Sequence, residues 1–208
     1  MEFARAFAIV IQAGGQSSRM GQDKALKPFL GRPLIERQVA RLRPLGAEIV
    51  VVTNQPEAYA FLNLPLIPDD APGQGAPGQG VLVGLRSALS ALNHETLAVV
   101  ACDMPFLQPA LLLAQRDLLL REGADVVIPR SPTGLEPLHM VYRRAACLPA
   151  IAAAIQAGER RPISWLPNVK TREMSVEEIA AVDPHFRSFV NVNTPEEFRE
   201  AEALAQAE

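Results

Sequence analysis

Ile9-Val10-Ile11-Gln12-Ala13-Gly14-Gly15-Gln16-Ser17-Ser18-Arg19-Met20-Gly21-Gln22-Asp23-Lys24-Ala25-Leu26 is the stretch on which the reading of the chain turns. The apolar run from Phe7 to Ile11, giving way to small residues, predicts a buried strand that empties into a loop. Paired glycines, Gly14 and Gly15, let backbone N–H groups close on an anion with no Cβ in the way. Arg19 and Lys24 place fixed positive charge on opposite sides of Gly21. The stretch reads as a phosphate cradle. A P-loop does not fit, because Gly21 is followed by Gln22-Asp23 rather than Lys-Ser/Thr. A dinucleotide fingerprint does not fit either, because Gly14 and Gly15 are adjacent and no third glycine follows at the right step. The competing reading, a glycine-rich turn with solvated cations, does not explain why glycines, Arg and Lys concentrate just after the first buried strand.

Working outward, Pro28 to Pro33 reads as an extended piece and a turn, with Pro33 starting a helix that runs from Leu34 to Leu45 and stops at Gly46. Glu48 to Thr53 is a β-branched run of the kind buried on both faces of a parallel sheet. Strand, helix and strand in this order imply a right-handed crossover. Asn54 follows the second strand at the edge where open α/β sheets hold ligands, so it reads equally as a base or ribose contact and as part of a turn with Pro56. Pro56 to Leu62 predicts a short helix and Leu64 to Ile67 a short strand. Ala71-Pro72-Gly73-Gln74-Gly75 is then repeated as Ala76-Pro77-Gly78-Gln79-Gly80, too short for a solenoid unit and read as an expanded loop, either a flexible lid over a nucleotide or a local duplication without function.

Val81 to Leu92 predicts a second long helix, and Thr96 to Ala101 a strand that ends in Cys102-Asp103-Met104-Pro105. An acid at the carboxyl end of a buried strand is where this architecture holds a metal-binding or catalytic carboxylate, so Asp103 is the expected Mg2+ ligand. The alternative, a helix cap, is disfavoured because Gln108-Pro109 starts the following helix. Ala110 to Glu122 is that helix, closed by Gly123, and Ala124 to Pro129 the next strand. Pro137 to Tyr142 predicts a strand carrying His139, a structural histidine or a contact for a second substrate. Ala145 to Ala157 is a helix ending at Gly158, followed by Arg160 and Arg161, which suit an anionic second substrate or a helix C-terminus equally well. Val169 to Val176 predicts an edge strand. Phe189 to Asn193 reads as a strand with Asn191 and Asn193 on one face and valines on the other, running into a helix with Thr194 as N-cap, Pro195 at the first position and Glu197 closing a capping box.

Four of these motifs, in this order, resemble the molybdenum cofactor guanylyltransferases, a branch of the Rossmann-like nucleotidyltransferases. They are Ala13 to Leu26, Cys102 to Pro105, Gln156 to Arg161, and Asn191 to Glu197. The resemblance implies an α/β fold, a single-domain Rossmann-like three-layer sandwich with a mostly parallel sheet and helices on both faces. It implies one domain over 1–208, with residues 1–130 taking the nucleotide and 131–208 the acceptor. It further implies transfer of GMP from GTP to molybdenum-molybdopterin with release of pyrophosphate, and hand-over to molybdoenzyme-maturation proteins. Gln12, Ala13, Gly14, Gly15, Lys24, Asn54, Asp69 and Asp103 would then bind nucleotide, and Arg19, Lys24 and Asp103 act in catalysis. Asn193, with Asn191, would lie near the metal and the acceptor, which His139, Arg160 and Arg161 would also serve. Gly14 is the indicator of guanine, since the cytidylyl relatives resemble this motif with alanine there. Gln12 in place of the more usual leucine and the duplicated loop are departures. The alternatives are a cytidylyl- or sugar-phosphate nucleotidyltransferase on the same fold and a non-catalytic nucleotide-binding module.

Composition bounds these readings. The 208 residues suit one α/β domain, and a net charge of −3 gives no general basic field for nucleic acid. Two cysteines make neither a metal cluster nor a disulfide framework, which suits a reducing cytoplasm. Neither a secretory leader nor an apolar run long enough to span a membrane is expected.

Overall fold

The computed structural model describes residues 7–13, 23–68 and 80–207. The first apolar run forms β1 (Phe7–Gln12). After the cradle come a two-residue hairpin, β2 (Pro28–Phe29) and β3 (Arg32–Pro33), and helix α1 (Leu34–Leu42). The hairpin turn puts Leu30 and Gly31 at φ 51° and 81°, the left-handed pair such two-residue loops require. Pro33 stands at the N-cap of α1 rather than at its first turn, because it still belongs to the hairpin ladder. A 3₁₀ turn at Arg43–Leu45 and left-handed Gly46 end the helix as the sequence predicts.

β4 (Glu48–Val52), α2 (Pro56–Tyr59) and β5 (Leu66–Ile67) follow, then α3 (Val81–Ala91), β6 (Thr96–Ala101) and α4 (Pro109–Glu122). β7 (Val126–Ser131) turns into β8 (Gly134–Leu135) and β9 (His139–Arg143), and the chain closes with α5 (Arg144–Gln156), β10 (Thr171–Met174), α6 (Val176–Ala180) and α7 (Pro195–Gln206). The sheet order is β10-β7-β9-β6-β1-β4-β5, with β8 paired to β7. β1 lies parallel to both β4 and β6, and β10 parallel to β7. β9 alone on this path is antiparallel to its neighbours, β6 and β7. Only a short hairpin connection separates it from β7, and a parallel neighbour would have needed a crossover helix. β9 and β10, late in the chain, thus extend the sheet begun by β1, β4 and β6.

Alternation along β1 feeds two cores. Phe7, Ile9 and Ile11 pack with Ile35, Val39 and Leu42 of α1 and Leu111, Leu118 and Leu119 of α4. Ala8 and Val10 pack with Leu82, Leu85 and Leu89 of α3 and Cys147 and Ile151 of α5. The result is the three-layer sandwich with helices on both faces. A third, smaller core of Phe29, Leu34, Phe106, Val192, Phe198 and Ala201 pins α7 against the hairpin and the loop after β6. The expected edge strand shortens to β10. The expected strand over Phe189–Asn193 is corrected: Arg187–Phe189 is a 3₁₀ turn, and Val192 donates its N–H to the carbonyl of Asp103 (3.0 Å) instead of joining a ladder. The valine–asparagine alternation records an extended chain with one buried face, and that face meets a loop. Among the described residues no helix is long and apolar enough to cross a membrane, and Cys102 and Cys147 are free thiols.

Candidate functional site

β1 and β6 are adjacent and parallel, with Gln12 opposite Ala101, so Ala13 and Cys102, the residues that follow them, leave the same carboxyl edge of the sheet. Cys102 N–H bonds the Gln12 carbonyl (3.1 Å) and holds the two exits together. Asp103 comes next. Lys24 arrives from the far end of the cradle on a 3₁₀ turn, Lys24–Leu26, whose cap is Asp23. Asp23 Oδ1 accepts from Ala25 N–H (3.0 Å) and Oδ2 from the hydroxyl of buried Tyr59 (2.5 Å). Lys24 Nζ donates to Asn193 Oδ1 at 2.6 Å and stands 3.7 Å from Asp103 Oδ2. Asn193 is set by the start of α7. Its own N–H donates to Glu197 Oε2 (2.6 Å), which also accepts from Thr194 N–H, while Thr194 Oγ1 accepts from Glu197 N–H. The predicted capping box is present in full.

Lysine, carboxylate and amide therefore meet from three distant parts of the chain. The Lys24 and Asp103 side chains are only 18% and 19% exposed. Burial raises the pKa of the Asp103 carboxyl, Lys24 and the local backbone draw it back down, and Glu197 adds a weaker push upward. A carboxylate held in this way gains from further positive charge, and a lysine beside it is ready to exchange one anionic oxygen for another.

The remaining expected residues distribute unevenly. Ala13 is buried, its N–H bonded to the Val52 carbonyl (2.9 Å). Gln12 Nε2 donates to the carbonyl of Val81 (3.3 Å), tying the end of β1 to the first turn of α3 and giving the departure at this position a structural role. Asn54 is exposed directly beyond β4, on the same edge of the sheet. Gly14, Gly15, Arg19 and Asp69, and the duplicated loop apart from Gly80, lie outside the described residues. Asn191 is partly buried, whereas Arg160 and Arg161 are exposed in the turn after α5, and no described contact joins them to the Lys24 group. His139 is fully buried on β9, edge-on to Phe189, so its ring offers a substrate no surface and its structural reading is the one the geometry supports. Burial lowers its pKa to about 4, leaving the imidazole neutral.

Sequence reasoning missed the residues that support the site. Asp23 and Tyr59 orient Lys24. Arg37, Gln38 and Arg41 of α1 donate to carbonyls of the loop that carries Asp103. Asp183, buried, accepts from Ser188 N–H (2.8 Å), and Ser188 Oγ in turn accepts from Gln108 N–H at the end of that loop. One signal was available: Gln38 recurs with Leu34, Ile35, Val39 and Leu42 on the apolar face of α1, and a polar group there must have partners.

Cationic and carboxylate groups gathered at the carboxyl edge of a mostly parallel sheet, with a glycine-rich segment leading into them, are the equipment of a nucleotidyltransferase. A family model described as a MobA-like NTP transferase domain matches residues 9–171, well over half of the chain. The chain belongs to that family. A protein of Carboxydothermus hydrogenoformans, named "Probable molybdenum cofactor guanylyltransferase", is 35% identical over 192 residues, covering 91% of this chain and 92% of its own. The molybdenum cofactor guanylyltransferase of Desulfosudis oleivorans is 33% identical over 201 residues, 95% of each chain. Among solved structures, molybdopterin-guanine dinucleotide biosynthesis protein A from Archaeoglobus fulgidus superposes with a TM-score of 0.82 at 26% identity, over 97% of this chain and all of that one.

Proposed function

We propose that the protein transfers GMP from GTP to the terminal phosphate of molybdenum-loaded molybdopterin, forming the guanine dinucleotide cofactor and pyrophosphate. The observation that carries this reading is Lys24 Nζ, 2.6 Å from Asn193 Oδ1 and 3.7 Å from Asp103 Oδ2. The names of the relatives supply the acceptor and the base. In the reaction an oxygen of the acceptor phosphate bonds the α-phosphorus of GTP, and the bond from that phosphorus to the β-phosphate oxygen breaks. The acceptor oxygen is already ionised at neutral pH, so no strong general base is required, and buried His139 is not one. Catalysis then consists of placement and electrostatics. The amides of Gly14 and Gly15 with Arg19 and Lys24 hold the triphosphate and offset charge on the departing pyrophosphate. Asn193 places Lys24 and faces the acceptor, with Asn191 beside it.

Mg2+ fits this arrangement. Among the described residues no group of three or more His, Cys, Asp or Glu forms a cation cage. Mg2+ is commonly held by one or two carboxylates plus substrate phosphates. Asp103, destabilised as an anion by burial, is the carboxylate that would hold it. When bound, the ion supplies neutralisation of charge on the phosphates. Asn54 and Asp69 are assigned to the nucleotide and Gly14 to guanine selection. Arg160 and Arg161 are assigned to the anionic acceptor. The free thiols suit a cytoplasmic setting.

Pyrophosphate release with Mg2+ and molybdenum-loaded molybdopterin, measured side by side for GTP, CTP, ATP and UTP, tests the proposal. Release with GTP alone is expected. Release with CTP instead would move the protein to cytidylyl transfer, and tight nucleotide binding with no release from any of the four would overturn the reaction.

A further inference from the structure

We infer that Gln38 is the positioning residue for Asp103: its side-chain amide fixes the backbone on both sides of the carboxylate and so sets where that carboxylate meets a cation and Lys24. The inference rests on the reading of Asp103 as a cation-binding carboxylate. Gln38 is fully buried, and Nε2 donates to the carbonyls of Ala101 (2.7 Å) and Met104 (3.1 Å), the residues that bracket Cys102-Asp103. One planar NH2 group thus spans the turn. Its neighbours on α1 extend the grip, Arg37 Nε to the Pro105 carbonyl and Arg41 Nε to the Leu107 carbonyl, each at 2.9 Å. The Arg37 guanidinium also lies 5.4 and 5.6 Å from the ring centroids of Phe29 and Phe106, which keeps that end of the helix against the loop. From the opposite side Val192 N–H takes the carbonyl of Asp103 itself. Carbonyls 101, 103, 104, 105 and 107 therefore each have a donor from outside the loop.

Packing alone does not account for a glutamine here. Gln38 occupies an apolar position between Leu34 and Leu42, and its Oε1 is buried with no partner among the described residues. A buried polar oxygen without a partner is destabilising, and a methionine of similar shape would fill the site without that cost. What methionine cannot supply is the pair of donors. Partners that orient a metal-binding side chain from behind commonly change metal affinity by about 10- to 100-fold when removed.

The test is Mn2+ binding to the full-length protein saturated with GTP, without acceptor, followed by electron paramagnetic resonance, with GTP affinity measured separately in the absence of metal. Gln38→Met is expected to weaken Mn2+ binding by roughly 10-fold or more, to leave metal-free GTP affinity within about twofold, and to lower kcat more than it raises KM for GTP. Asp103→Asn is the control. If Asp103→Asn leaves Mn2+ affinity unchanged, the reading of the carboxylate fails and this inference falls with it. If Asp103→Asn weakens Mn2+ and Gln38→Met does not, even with a lowered thermal midpoint, Gln38 only packs and the inference alone is overturned. Should Gln38→Met not fold, Arg41→Met, at a half-buried position, is expected to weaken Mn2+ in the same direction, and unchanged affinity there overturns the inference as well.

Discussion

Lys24 is braced before any ligand arrives, by the Asp23 cap below it and by Asn193 and Asp103 on either side. Its head group then need not be reorganised as charge develops on a leaving pyrophosphate, and such preorganised donors contribute most in the transition state. Lys24→Ala is therefore expected to lower the rate of pyrophosphate release on the order of 10²-fold or more. A variant turning over at the normal rate would remove Lys24 from the mechanism. At this scale the sequence was informative where a charge sits in a recognisable local pattern, Asp103 just after a buried strand and Lys24 at the close of the glycine-rich segment. It was silent on Asp23, because the meaning of that acid depends on Tyr59, 36 positions further on.

α7 shows how an element carries a residue into the site. The Thr194–Glu197 capping box satisfies the first turn, and the same Glu197 oxygen receives the Asn193 N–H, so the helix start and the site amide are one hydrogen-bonded unit. Thr194→Ala is expected to cost about 1 kcal/mol in urea unfolding, with Thr194→Ser retaining most of it. An unchanged unfolding midpoint for the alanine variant would show that the box contributes nothing measurable. This cap could be read directly because its signals lie within four residues of one another. The segment before it could not: Val190 to Asn193 alternates like a strand, yet Val192 bonds the loop at Asp103, and sequence alternation does not say what the buried face will meet. β9 is a similar case, since its residues predict a strand while its reversed direction follows from the short hairpin that delivers it.

For the whole molecule, the consequence of closing both faces of the sheet is that polar groups near its centre become sensitive to pH. His139 is fully buried, and its pKa falls from 6.5 to about 4, chiefly by desolvation, with its own backbone and the charge of Asp183 pulling weakly the other way. Above pH 6.5 the imidazole is neutral in both folded and unfolded chains and exacts no penalty. Below it the unfolded chain takes up a proton that the folded chain refuses, so stability falls between pH 6.5 and 4, approaching about 3 kcal/mol for this one group. Denaturant unfolding at pH 7.5 and 4.5 is expected to show a smaller loss for His139→Leu than for the unsubstituted protein. An equal loss in both would mean that His139 is not the group responsible.

The order and kind of most elements, the two-faced burial of the sheet and the acid after β6 were written in local patterns: apolar periodicity, glycine and proline punctuation, and charge at a strand end. These are properties of neighbouring residues, and the chain expresses them before it is folded. Tertiary structure alone decided that β9 inserts between β7 and β6 and that His139 is fully buried. It likewise decided that Gln38 faces the Asp103 loop and that Lys24, Asp103 and Asn193 form one group. Each of these depends on contacts between residues far apart in sequence, and what brings them together is the burial of apolar faces along the whole chain rather than any signal carried by the residues themselves.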